Sequence, residues 1–249
     1  MIERVTETDE CAPIALVLGI LGGTGEQGRG LARRFAMAGA TVLLGSRDGA
    51  RAASVADAME GVSGRVKGVT NAEAATADVV IVSVPYDGHA ALLSELEPVL
   101  AGRIVVDCVN PLGFDKLGAY ALEVPEGSAA EQAAALLPRS RVTAAFHHIS
   151  AKRLLTGDDD IVTDVLVVGD DIVAKDTVIA LACAIPGLRG LDGGSLRLAR
   201  HVEALTAVLI AVNKRYKAHA GMRLTDVDET RRAFDKSVSL IHPSVGDWS

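Results

Sequence analysis

Three glycines, Gly23, Gly25 and Gly28, stand in the run Gly22-Gly23-Thr24-Gly25-Glu26-Gln27-Gly28, with the GxGxxG spacing that lets a backbone turn receive a pyrophosphate. The first permits a tight turn, the second lets the backbone approach the phosphates, and the third allows close packing of helix on strand. N–H groups at the start of the helix then face the anion. The pattern alone is weak. Here it follows the apolar stretch Ile14 to Leu21 and opens a helix-patterned segment, which is the context it needs. An ordinary glycine turn is the bland alternative.

The end of the next strand selects the dinucleotide. NAD-binding chains usually carry Asp or Glu there, bonding the ribose 2′-hydroxyl. This chain reads Leu44-Gly45-Ser46-Arg47, with Arg51 four residues beyond Arg47. A hydroxyl and two guanidinium groups suit a 2′-phosphate, since Arg binds phosphate bidentately. Thr24 adds a hydroxyl from the first loop. The expected cofactor is therefore NADP(H). The competing reading makes Arg47 and Arg51 solvated surface charges, and Asp48 beside them is a counter-signal.

Further strand ends define a second region. They read Ser83-Val84-Pro85-Tyr86, then Asp107-Cys108-Val109-Asn110-Pro111-Leu112, then Phe146-His147-His148-Ile149-Ser150. In an open parallel sheet, ligands bind beyond the carboxyl ends of the strands, so these loops should line one cleft. Each has a plainer explanation. Pro85 and Pro111 can simply end strands, Asn110-Pro111 is a common turn, either histidine can be structural, and Cys108 reads as a small buried hydrophobe. Ser128-Ala129-Ala130-Glu131 is a helix capping box, and Glu203 is half of a polar contact. No Lys or Tyr sits in a recognisable dehydrogenase acid/base motif, and no carboxylate cluster suggests a metal. Hydride transfer between two bound rings needs neither, because the protein then supplies orientation and dryness.

The elements that position these residues alternate. Strands are expected at 14–21, 41–44, 66–70, 79–84, 103–108 and 141–146, with helices at 26–37, 49–59, 73–76, 89–99 and 128–137. Leu31 and Phe35 share a face of the first helix, and Gly39 suits its C-terminal cap. This is an α/β chain, a Rossmann-type doubly wound parallel sheet with a small C-terminal α/β unit. That unit holds strands at 163–168 and 188–191, a helix at 172–184, and one long helix over 195–218. The expected organisation is an N-terminal extension (1–13), a dinucleotide-binding domain (14–150), a smaller unit closing over it (151–224) and a C-terminal extension (225–249) with the only tryptophan, Trp248.

Composition excludes several classes. A formal charge of −7 and the lack of a basic stripe with aromatics argue against nucleic acid as a partner. Three distant cysteines form neither a disulfide framework nor a zinc site, which points to the reducing cytoplasm. No segment reads as a signal peptide or a membrane span. Aromatics are 3% of residues, so the core must be built from Ala, Val, Leu and Ile.

The ordered set Leu21-Gly22-Gly23-Thr24-Gly25-x-x-Gly28, Gly45-Ser46-Arg47, Val84-Pro85, Asn110-Pro111-Leu112, Ser128 to Glu131 and His147-x-Ile149-x-Ala151 resembles the NADPH-dependent coenzyme F420 reductases. The segment Leu191-Asp192-x-Gly194-x-Leu196, then Arg200-x-x-Glu203-x-Leu205-Thr206, is similar to the C-terminal part of that family, and the match runs from about Ile14 to Leu224. The resemblance implies hydride exchange between NADP(H) and the deazaflavin F420 in a homodimer. It implies that Thr24, Ser46, Arg47 and Arg51 hold the 2′-phosphate. Val84-Pro85 and the His147, Ile149 and Ala151 turn would frame the rings. Ser150 stands where the family often has proline, and His148 where it has a small polar residue. An NADPH-dependent imine or keto reductase is the alternative enzyme, though such folds add a larger helical dimerisation domain. A non-catalytic NADP(H) sensor is the alternative from another class; it would bind NADPH and oxidise it with no acceptor.

Overall fold

The computed structural model describes residues 14–157 and 159–227. Positions 1–13, assigned above to an N-terminal extension, lie outside the described residues, as does most of 225–249 with Trp248.

The apolar run after Ile14 becomes β1 (Val17–Leu21), flanked on one side by β2 (Thr41–Ser46) and β3 (Val66–Thr70). The chain then crosses to the other side of β1 for β4 (Val79–Val82), β5 (Ile104–Asp107) and β8 (Arg141–Ala144). Strands β4 and β5 are buried at every residue, which is why they read as Val/Ile runs, interrupted only by Asp107 at the end of β5. All of these neighbours pair in parallel. The order of strands reverses between β1 and β4, so a crevice opens there at the carboxyl ends.

Helices cover both faces. On one, α1 (Glu26–Met37) buries Leu31 and Phe35 completely and ends at Gly39, whose φ of 95° suits glycine. Two further helices, α2 (Gly49–Asp57) and α3 (Asn71–Ala74), start on side-chain caps from Asp48 and Thr70. Buried Leu93, Leu96 and Leu100 of α4 (His89–Leu100) meet the other face, together with Ala129, Ala130 and Ala133 of α5 (Ala129–Leu136). The only fully buried aromatics among the described residues are Phe35 and Phe146, which meet edge to face at 5.8 Å.

Four features depart from the expected pattern. The loop after β5 contains a hairpin, β6 (Leu112–Asp115) and β7 (Gly118–Ala121), turned by Asp115, whose Oδ1 accepts the N–H groups of Leu117 and Gly118. A short α6 (Ala151–Leu155) follows the double histidine, with Ser150 at its N-cap. The C-terminal strands join the same sheet: β9 (Thr163–Gly169) lies antiparallel to β8, and β10 (Leu188–Gly194) parallel to β9, connected through α7 (Ile172–Cys183). A buried strand carries the same apolar run whichever way it points, so its direction is not written in the pattern. The last helix, α8 (Ala199–Tyr216), is preceded by a separate 3₁₀ turn at Leu196–Leu198 rather than running unbroken from Ser195.

Candidate functional site

The glycine loop is fixed from three sides. The Gly23 N–H donates to the Gly45 carbonyl at 2.8 Å, and the Gly22 N–H to Asn71 Oδ1 at 3.1 Å. A Cβ on Gly28 would meet Gly23 Cα at 2.6 Å, so Gly28 is needed for the loop to lie on its own helix, more than for helix to meet strand. At Gly25 an added Cβ would find nothing closer than Gly22 O at 3.7 Å. That open face is the room that backbone approach to a pyrophosphate requires. Glu26 and Gln27 begin α1, and the Gln27 amide donates to the Phe146 carbonyl at 3.1 Å.

Beside this loop lies a cavity of about 670 Å³ that brings together Gly22, Thr24, Gly25, Ser46, Arg47 and Arg51, with Asn71, Val84 and Pro85. Arg47 and Arg51 are exposed, and neither has an ion-pair partner among the described residues. Asp48 is occupied as the cap of α2: its Oδ1 accepts the Arg51 N–H at 3.1 Å. That cap accounts for an acid at this position.

A second cavity of about 520 Å³ shares Gly25, Ser83, Val84 and Pro85 with the first, so one trough runs across the switch point. Its walls hold Asn110, His147, Ile149 and Ala151 together, with Thr206, Leu209, Ile210 and Asn213 of α8 opposite. Of the residues singled out from sequence, Gly23 and Gly28 line neither cavity; their work is in the turn itself.

The double-histidine turn is held unusually firmly. Phe146 takes φ of 66°, a left-handed conformation that a bulky residue adopts only when its surroundings impose it. Its carbonyl takes Gln27; the His147 carbonyl takes Asn110 Nδ2 at 3.0 Å and Thr206 Oγ1 at 3.2 Å; His148 Nε2 meets the Asp164 carbonyl at 2.7 Å. Residues of α1, the loop after β5, α8 and β9 thus hold three consecutive residues. Burial pushes the His147 pKa down to about 4 and lowers that of His148, so both rings are neutral at pH 7. Neither ring nitrogen of His147 has a hydrogen-bond partner among the described residues. Burial, with the Asp107 charge adding to it, raises the Cys108 thiol to about 12, and its Sγ donates to the Val82 carbonyl; it is no nucleophile.

Behind the cleft is a buried cluster of which the sequence reading had only Glu203, expected as half of a polar contact. His89 Nε2 stands 2.6 Å from Asp107 Oδ2, and its Nδ1 stands 3.0 Å from Gln132 Oε1. Burial opposes a charge on this imidazole, but the Asp107 bond and charge and the Gln132 bond outweigh it and raise its pKa. Asp107 Oδ1 also accepts the Val109 N–H, fixing the turn that presents Asn110. The Glu203 carboxylate of α8 accepts the N–H groups of Ala129 and Ala130 at the start of α5. Burial raises its pKa to about 7. Asn71 carries no motif of its own, and Asp107 and Thr206, though they stand in segments read from the sequence, were given no role there. Only their contacts with the glycine loop and the two turns reveal one.

A glycine loop at the switch point, unpaired guanidinium groups at the end of β2 and a second cavity continuous with the first define the class: a Rossmann-type α/β oxidoreductase that works with a dinucleotide. Residues 17–111 match a family model described as NADP oxidoreductase, coenzyme F420-dependent. The chain is 40% identical over 223 residues to the F420-dependent NADP reductase of Methanothermobacter marburgensis, covering 85% of this chain and 99% of that protein. It is 37% identical over 222 residues to that of Methanocaldococcus jannaschii, covering 85% and 99%. A solved structure from Arthrobacter sp. FB24, ascribed to an F420-dependent NADP reductase, superposes with a TM-score of 0.73 at 25% identity, over 84% of this chain and 98% of that one. The protein belongs to the F420-dependent NADP reductase family.

Proposed function

We propose that the protein transfers a hydride between NADP(H) and the deazaflavin coenzyme F420. The observation that carries this reading is the trough itself: one end offers two arginines with no ion-pair partner among the described residues, the other a ring-sized cavity whose buried titratable groups are held neutral. When bound, the nicotinamide supplies or accepts the hydride. Thr24, Ser46, Arg47 and Arg51 hold the 2′-phosphate, while Gly22 to Gly28, with Glu26 and Gln27, carry the pyrophosphate at the head of α1. Val84, Pro85 and Asn110 support the nicotinamide half. His147, Ile149 and Ala151 frame the acceptor ring, where His147, neutral and with both nitrogens unpartnered, offers one donor and one acceptor to a polar ring edge. No side chain is assigned as an obligatory acid or base; orientation and exclusion of water carry the step.

Residues 14–150 serve as the cofactor-binding part and 151–224 as the part that closes the acceptor side, α8 forming its wall. The protein works in the cytoplasm as a homodimer, a reading that rests on the family resemblance and on apolar side chains exposed on α8 and the β6–β7 hairpin. No helix among the described residues is long and apolar enough to cross a membrane.

The test is NADPH oxidation with F420, FMN and small imines side by side. With NADPH deuterated at the transferred C4 position, the label should reach the reduced carbon of the deazaflavin without loss to water. Reduction of FMN or an imine with none of F420 would overturn the assignment. Binding of NADPH without turnover on any acceptor would favour a sensor.

A further inference from the structure

The end of β5 stands between the two walls of the trough. The Cys108 N–H donates to the Val82 carbonyl of β4 at 3.2 Å, and the Asp107 carbonyl accepts the N–H of Ala145, just past β8, at 3.1 Å. Val84 and Pro85 follow Val82 in the chain, and His147 follows Ala145. The nicotinamide wall and the acceptor wall are therefore both attached to residues 107 and 108.

The Asp107 side chain repeats that link. It is fully buried and lines neither cavity. Its Oδ1 accepts the Val109 N–H at 3.0 Å and so fixes the turn that carries Asn110. Asn110 Nδ2 then donates to the His147 carbonyl at 3.0 Å, and Asn110 Oδ1 accepts the Thr206 hydroxyl at 3.2 Å. The second oxygen, Oδ2, lies 2.6 Å from Nε2 of His89, the first residue of α4 and also fully buried. Only the 3₁₀ turn Tyr86–Gly88 separates Pro85 from His89, so this bond ties down the loop that carries Val84 and Pro85. On its far side His89 Nδ1 meets Gln132 Oε1 of α5 at 3.0 Å, and the Gln132 amide nitrogen donates to Glu126.

Stability does not account for the pair. A buried ion pair carries a desolvation cost that its attraction only partly offsets, and apolar residues of similar volume often replace one without loss. The rest of β5 is Ile104, Val105 and Val106, a run that a fourth apolar residue would continue. An apolar residue there could not accept the Val109 N–H and the His89 N–H together, one bond toward each wall.

We propose that Asp107 and His89 are positioning residues for hydride transfer: by fixing Asn110 and the head of α4 together, they set the separation of the two walls between which donor and acceptor rings meet. The inference rests on the reductase reading. Reacting carbons must approach to about 3–3.5 Å, so a shift of either wall slows the transfer, while the residues that bind NADPH keep their contacts.

Two variants separate this role from a structural one. Asp107→Asn keeps Oδ1 for the Val109 N–H, and its amide can donate to a neutral His89 whose Nδ1–H still meets Gln132, so both ties persist. Asp107→Ala combined with His89→Leu holds the volume nearly constant, leaves no charge unpaired and cuts both ties. In single turnovers at saturating NADPH, the double variant should reduce F420 about ten- to a hundredfold more slowly, the scale of a small misplacement. Its affinity for NADPH in a fluorescence titration should be unchanged, and Asp107→Asn should recover most of the rate. In the cofactor-free protein, amide hydrogen exchange should quicken at residues 109–110 and 146–149 of the double variant but not in Asp107→Asn, with α1 and β1 protected as before. His89→Leu combined with Asp107→Asn cuts the tie to α4 alone; where the first double variant does not fold, this one should still lose rate and keep NADPH affinity. A double variant with the unsubstituted rate, one that loses NADPH affinity in step with rate, or an Asp107→Asn protein as slow as the double variant would overturn the positioning role and leave the reductase reading intact. Failure of the unsubstituted protein to reduce F420 would overturn both.

Discussion

Arg47 is the residue on which cofactor choice turns. It is exposed at the end of β2 without an ion-pair partner, and Asp48 beside it is committed to the cap of α2. One charged hydrogen bond corresponds to roughly 10–100-fold in affinity, so Arg47→Ala should weaken NADPH by about that factor and leave NADH nearly unchanged. Equal losses for both in a fluorescence titration would remove Arg47 from the 2′-phosphate site. His147 makes the opposite kind of prediction. With its pKa pushed down to about 4, it does not change charge between pH 5 and 8, so the rate profile should carry no inflection from it and His147→Asn should keep measurable turnover. Complete loss of activity with NADPH binding intact would instead mark it as a general acid. Ser46, Arg47 and the glycines were singled out from the sequence because each group lies within one turn. Asn71 and Thr206 were not, because each acts on a turn distant in the chain, Asn71 on Gly22 and Thr206 on His147; nor was Asp107, whose partner His89 lies on α4.

Elements are held to one another by contacts with definite consequences. An added methyl at Gly28 would stand 2.6 Å from Gly23 Cα, which is backbone and cannot swing aside. Gly28→Ala should therefore displace the loop from α1, costing stability and NADPH affinity together, whereas Gly25→Ala meets no protein atom closer than 3.7 Å and should cost NADPH affinity alone. Matched melting temperatures for the two variants would contradict this. The α8 to α5 latch is pH-sensitive. Burial raises the Glu203 pKa from 4.5 to about 7, so between those values the folded chain holds a proton that the unfolded chain has released. Stability from this group thus falls as pH rises from about 4.5 to about 7. His89, also raised, acts in the same direction, its contribution being full at low pH and lost as pH climbs through its folded value. In urea titrations Glu203→Gln should flatten the decline between pH 5 and pH 8 by on the order of 3 kcal/mol; parallel profiles would show that the carboxyl titrates normally. Most strands and helices of the sheet were legible from periodicity. The β6–β7 hairpin was not, since four-residue strands with two exposed residues each carry too little pattern. Nor was the reversal at β9, where the register from Thr143 opposite Gly169 runs on to bring Asp164 to His148.

Taken whole, the molecule has its chemistry at the reversal of strand order and an apolar surface elsewhere. The position of the cleft followed from the βαβ alternation alone, because the end of a parallel sheet where the order reverses is fixed by topology. The outer surface did not follow, since a helix apolar on much of its circumference reads the same whether buried by its own chain or by another. In α8, Val202 and Glu203 face inward while Val208 is 58% exposed, and the β6–β7 hairpin lying against that helix exposes Phe114 at 69% and Leu117 at 98%. Exposed apolar side chains grouped in this way mark an interaction surface. A second copy is the expected occupant, because the family resemblance implies a homodimer, and pairing along α8 would stiffen the helix that walls the acceptor cavity. Sedimentation at micromolar concentration should therefore show a dimer. Val208→Glu combined with Phe114→Glu buries two like charges against their symmetry mates and should shift it to monomer, raising KM for the deazaflavin more than that for NADPH, since α8 lines only the acceptor cavity. A monomer in the unsubstituted protein at tens of micromolar, or a dimer indifferent to both substitutions, would remove this surface from the assembly.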